Sequence, residues 1–206
     1  MLHMFLAIAC ATIFSVIFSI LQRKRINVNV AMLANYITGA VFSVITVLLK
    51  MKSCGINDSS VLWPGCGLLV LALITGIIYS TGFLLRDVGT ARCGVSISTI
   101  SARVSLIVPV VLSWLLLSDK EPSWLSVALI LVSVGLISFK KETTKQKFDL
   151  VGLGILVLLF LTYGSSDFFL KYARVLSGES GNVAEIRLGC FTALIFVFAA
   201  IISLFL

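Results

Sequence analysis

Seven apolar stretches alternate with short polar connections along the chain: Leu2 to Leu21, Val28 to Leu49, Val61 to Leu85, Gly94 to Leu117, Trp124 to Phe139, Leu150 to Leu170 and Leu188 to Leu206. About 20 apolar residues in a row are what an α-helix needs to cross the hydrocarbon core of a bilayer. Only helices and closed barrels satisfy their backbone polar groups there. Connections such as Ser118-Asp119-Lys120-Glu121-Pro122 leave room for little more than a turn, so consecutive helices run antiparallel. The pattern predicts an all-α membrane protein of about seven transmembrane helices with no soluble domain.

The chain also echoes itself. A shift of roughly 150 residues pairs the first two stretches with the last two and matches Thr12 with Thr162, Ser15 with Ser165, Phe18 with Phe168, Ala34 with Ala184 and Gly39 with Gly189. Self-similarity at a fixed offset is the mark of repeated units. A unit of five helices returns the chain on the opposite side of the membrane, so the next copy enters upside down, an arrangement that secondary transporters use. The expected division is residues 1–140 as a complete five-helix unit, 141–149 as a basic connecting loop, and 150–206 as two helices of a second, inverted unit. The apolar ending Ile201 to Leu206 lacks an interfacial anchor, which leads us to expect a truncated chain.

Composition agrees with the pattern. Of the 206 residues 59% are hydrophobic and 12% charged, and mean hydropathy is +1.13, whereas a soluble domain carries about a quarter charged residues. The net charge of +7 does not point to nucleic acid, because the basic residues sit between apolar runs, as in Arg23-Lys24-Arg25 and Lys140-Lys141. Odd-numbered loops hold about nine Lys and Arg against about six in even ones, a count that favours an outside N-terminus. The five cysteines form no CxxC pair and His3 is the one histidine, so no metal site is expected and the thiols read as small apolar fillers.

The fourth stretch carries the first candidate chemistry. At about 100° per residue, Gly94, Ser98, Ser101, Ala102, Ser105, Pro109 and Ser113 form a stripe of small residues that lets helices approach closely. Arg103 projects away from that stripe, on a side shared with Thr99 and Trp114. Three destinations are open to it: a water-filled cavity, an acidic partner, or the nearer interface, about 14 Å away at Gly94. Pro109 cannot donate to the Ser105 carbonyl, so the helix should distort there.

Partners for Arg103 are few. The candidates are Asp167, with Tyr163 near it, and Glu185 with Arg187 at the start of the seventh helix; Asp167 is the first choice, although it could equally pair with Lys171 four residues on. Asn35 and Tyr36 in the second helix could donate hydrogen bonds into the same cavity. In the third, Ala72, Gly76 and Ser80 suggest a packing seam with Tyr79 beside it. Arg86 and Asp87 read as an exposed loop pair of little energetic weight.

From Gly94 to Phe139 the chain resembles the end of an EamA-like repeat of the drug/metabolite transporter superfamily, a resemblance that covers the whole chain and is strongest from Tyr79 to Phe139. In that family a helix runs into an acidic turn and is followed by a short helix ending in a Gly-Val or Gly-Leu pair, and Ser118-Asp119 and Gly135-Leu136 stand in those places. Arg103, Ser105 and Pro109 are similar in spacing to one bacterial branch. The resemblance implies ten helices in two inverted five-helix repeats around a central substrate cavity, with a cytoplasmic N-terminus. It also implies that the third, fourth and fifth helices of a second repeat are missing here.

The expected function is a multi-pass carrier of the cell membrane that moves a small organic metabolite or drug-like solute by alternating access. The alternative is a non-transporting truncated fragment, or a helical module completed by a partner chain such as a second copy. Besides the lipid bilayer and the solute, no cofactor or nucleic acid is expected. An enzyme is disfavoured because no nucleophile with its base, carboxylate pair or metal cluster is legible. Nor does a phosphate-binding GxxxxGK[ST] loop occur.

Overall fold

The computed structural model describes residues 28–56, 65–117, 150–177 and 181–205, with residues 13, 20, 62–63, 124–125, 127–129 and 132. Its helices are α1 (Val28–Cys54), α2 (Gly65–Cys93), α3 (Val95–Val104), α4 (Ile107–Leu116), α5 (Leu150–Leu176) and α6 (Asn182–Phe205). Among the described residues there is no strand. Five spans are long and apolar enough to cross a membrane: Asn29–Cys54, Gly65–Cys93, Ile97–Leu116, Leu150–Leu176 and Asn182–Phe205. The third of these combines α3 and α4. The expected spans at 2–21 and 124–139 lie mostly outside the described residues, and the basic loop at 141–149 lies wholly outside them.

Helix ends depart from the hydropathy pattern. α2 runs on past Leu85 to Cys93, α5 past Leu170 to Leu176, and α6 begins at Asn182 rather than Leu188. Charged residues end an apolar window, but they do not end a helix. At 1.5 Å per residue the 29 residues of α2 reach about 43 Å, more than the roughly 30 Å hydrocarbon core. Arg86 and Asp87 are therefore helical residues of α2, which corrects their assignment to an exposed loop.

α2 lies at the centre and packs against α3, α5 and α6, while α1 lies along α6. The α1–α6 pair is antiparallel. A Cβ on Gly39 would sit 3.2 Å from the Phe196 ring, one on Gly189 would sit 2.5 Å from Val47 Cγ2, and Lys50 forms an ion pair with Glu185. Against α6, α2 uses the seam of small residues expected from its spacing. Ala72 and Ser80 are fully buried, and a Cβ on Gly76 would meet Phe198 Cβ at 2.8 Å. The Ser80 hydroxyl donates to the Ala199 carbonyl at 3.0 Å.

Two apolar clusters hold the bundle. Leu68, Leu71 and Ala72 of α2 pack with Ala173 of α5 and with Phe191 and Ile195 of α6. Met32 and Tyr36 of α1 pack with Ala199 of α6, joined by Tyr79, Phe83 and Phe196. The outward faces stay apolar, with Phe42 70%, Leu115 62% and Leu204 66% exposed. In water such surface would be costly, and in lipid it is the required solvent face.

α2 turns into α3 at a single residue, Gly94, whose φ of 88° and ψ of 157° only glycine adopts readily. The expected continuous fourth helix is broken at Ser105 and Leu106 into α3 and α4. Four residues before Pro109, the Ser105 carbonyl loses its usual donor and accepts instead from the Val108 N–H at 2.9 Å. The Ser105 hydroxyl donates to the Ala102 carbonyl at 2.6 Å. A backbone N–H and a hydroxyl thus bond the Ser105 and Ala102 carbonyls at the break. Ser98, Ser105 and Ser113 are buried, and Ser101 donates to the Leu156 carbonyl of α5 at 2.8 Å, so the small-residue stripe is a packing face.

Candidate functional site

A cavity of about 230 Å³ lies between α2 and α5. α2 lines it with Ile78, Tyr79, Gly82, Phe83 and Arg86, positions three or four apart that share one helix face. α5 answers with Thr162, Tyr163, Ser166 and Asp167. Tyr79 is the middle residue of the 29 in α2, and Tyr163 the middle residue of the 27 in α5. For two helices that cross a membrane, that puts the cavity near the midplane.

Local sequence explains the space. Gly82 has no side chain, so α5 comes close beside the cavity: a Cβ there would lie 3.1 Å from Thr162 Cγ2 and 3.6 Å from the Tyr163 ring. Behind α5, a Cβ on Gly164 would meet Val108 Cβ at 2.5 Å, so α4 presses directly on the helix backbone. Hydroxyls of α5 are turned onto their own helix. Thr162 donates to the Leu158 carbonyl at 2.6 Å and Ser166 to the Tyr163 carbonyl at 2.7 Å. These bonds leave the phenols of Tyr79 and Tyr163 and the two charged side chains as the main polar groups of the lining.

Arg86 is within hydrogen-bonding reach of Tyr163, and Asp167 lies near both Tyr163 and Tyr79. A guanidinium and a carboxylate at this depth are costly and mark functional positions in transmembrane helices. The wall behind Tyr79 is aromatic. Tyr36 is fully buried, meets Phe83 edge-on at 5.7 Å between ring centroids, and donates its hydroxyl to the Tyr79 carbonyl at 3.2 Å.

Of the candidate residues named from sequence, Tyr163 and Asp167 line the cavity and Tyr36 backs it. Asn35 and Thr99 are half-buried and do not line it. Arg103 is exposed and also outside the lining, yet near enough to act on Tyr163 electrostatically. Ser105 and Pro109 mark the helix break. The cation that does line the cavity, Arg86, was missed because apolar windows stop at Leu85. Its signal was present in the spacing of Tyr79, Phe83 and Arg86 along one face. No group of residues suited to hold a metal ion occurs among the described residues. The chain matches no protein-family model, curated protein or solved structure with which it was compared.

Proposed function

We propose that this chain is a secondary transporter of a small organic solute, with its substrate site in the cavity between α2 and α5. The observation that carries this reading is that one cavity between two membrane-length apolar helices is lined by both Arg86 and Asp167. Midplane sites between helices are where such carriers bind substrate. Two units of opposite topology, repeating at about 150 residues, would rock about that site.

The α1–α6 contact supports the repeat. Gly39 and Gly189 are the matched glycines of the two units. Gly39 faces Phe196, seven residues beyond Gly189, and Gly189 faces Val47, eight residues beyond Gly39. The near-equal offsets follow from the antiparallel pairing itself, and what supports a repeat is that both matched glycines lie in this one contact. On this reading the arrangement is EamA-like and the chain resides in the cell membrane.

The test is solute counterflow in proteoliposomes carrying a panel of labelled metabolites. The expected result is uptake above empty liposomes for at least one class, abolished by Arg86→Gln and by Asp167→Asn while membrane insertion is unchanged. Uptake that survives both substitutions would move the site elsewhere, and no uptake of any class would remove the transport reading.

A further inference from the structure

Arg86 and Asp167 stand at opposite ends of the cavity. Gly82 is level with Thr162 and Tyr163 on the antiparallel neighbour. From that level Arg86 lies four residues toward the end of α2, and Asp167 lies four to five residues toward the end of α5, which is the other direction. At 1.5 Å per residue their Cα atoms are roughly 13 Å apart along the bundle. Helix side chains tilt toward their own N-terminus, so in an antiparallel pair both charged groups lean toward the level between them. What separates them is the neutral aromatic wall of Tyr79 and Phe83.

Resting on the transporter reading of this cavity, we propose that its ligand is a dipolar solute with a cationic group at one end and an anionic group at the other. The ammonium end faces Asp167, the carboxylate end faces Arg86 and the Tyr163 hydroxyl, and the body lies on Tyr79 and Phe83. Two features select this class. A solute with a single charge engages only one end of the site, whereas a dipolar one makes a charge-assisted hydrogen bond at each end. The volume of about 230 Å³ is about seven or eight water volumes, room for a solute of roughly ten non-hydrogen atoms. Charges carried on one carbon would satisfy one end and strain to reach the other.

The probe is 4-(aminomethyl)benzoate, a flat molecule with its charges at opposite ends, tested against benzylamine, benzoate and L-phenylalanine, whose two charges share one carbon. Binding is measured calorimetrically on the purified protein in lipid nanodiscs. The expected order places 4-(aminomethyl)benzoate at least about tenfold tighter than the other three, since each end contributes a charge-assisted hydrogen bond. Arg86→Gln should weaken benzoate and leave benzylamine unchanged, Asp167→Asn should do the reverse, and Arg86→Lys should recover part of the benzoate binding.

Tightest binding of L-phenylalanine or of either single-charge probe would overturn the proposal, as would substitutions that weaken all probes alike or failure of every probe to bind. Counterflow of the bound probe separates the two readings. Binding without counterflow keeps the dipolar site and removes transport, whereas counterflow of some other solute without binding of 4-(aminomethyl)benzoate keeps transport and removes the dipolar site.

Discussion

The hydroxyl of Tyr36 donates to the backbone carbonyl of Tyr79 at 3.2 Å, so α1 is tied to the middle residue of α2, one side chain away from the candidate cavity. Removing that hydroxyl keeps the ring and its edge contact with Phe83. Tyr36→Phe should therefore cost only about 0.6 kcal/mol, typical of an interhelical hydrogen bond in a membrane protein. Unfolding in mixed micelles measures this, and a loss of several kcal/mol would mean the bond has a larger role than its geometry implies.

Gly164 and Val108 form a tighter constraint. A methyl group at position 164 would fall 2.5 Å from Val108 Cβ, and neither backbone can yield easily. Gly164→Ala should destabilise by about 1–3 kcal/mol as overpacking does. Val108→Ala removes the γ-methyls at 2.7 and 2.9 Å but keeps the Cβ at 2.5 Å, so Gly164→Ala/Val108→Ala should recover only part of the loss. Additive losses in the double variant would show that the two residues are not in contact.

Gly94 turns α2 into α3 in a region of backbone space that other residues enter only with strain. Gly94→Ala is expected to cost about 1–3 kcal/mol, and Gly154→Ala is the control because open space surrounds that position on an otherwise regular helix. Equal stability of the two variants, measured by thermal denaturation in detergent, would contradict the turn.

Arg103 and Arg86 separate two accounts of the same site. Arg103 is exposed and outside the cavity lining, while Arg86 lines it beside Tyr163. Arg103→Ala should reduce solute uptake only in part, and Arg86→Gln should abolish it. The opposite order would return the central role to Arg103.

What sequence made legible follows from which interactions are local. Apolar runs of spanning length identify helices because the bilayer demands them, and four-residue spacing identified Ala72, Gly76 and Ser80 as a seam because a helix face is a local property. Pro109 announced the break near Ser105 for the same reason. Helix ends were less legible: Arg86 and Asp87 end an apolar window but continue α2, so the cation that lines the cavity was assigned to a loop. Which helices become neighbours is a tertiary outcome. Hydropathy could not tell that α5 packs on α2 through Gly82, and for that reason Asp167 was matched with Arg103 although Arg86 shares its cavity.

The central claim is that water and solute reach the space between α2 and α5. Cysteine accessibility tests it most directly, in a background where the five native cysteines are replaced. Thr162→Cys lines the cavity, whereas Leu161→Cys, at a position 48% exposed, faces away from it on the apolar outer surface. A membrane-impermeant methanethiosulfonate reagent needs water to generate the reactive thiolate. In proteoliposomes the account predicts labelling at position 162 and little at 161. Labelling at 161 but not at 162, or at neither position, would contradict it.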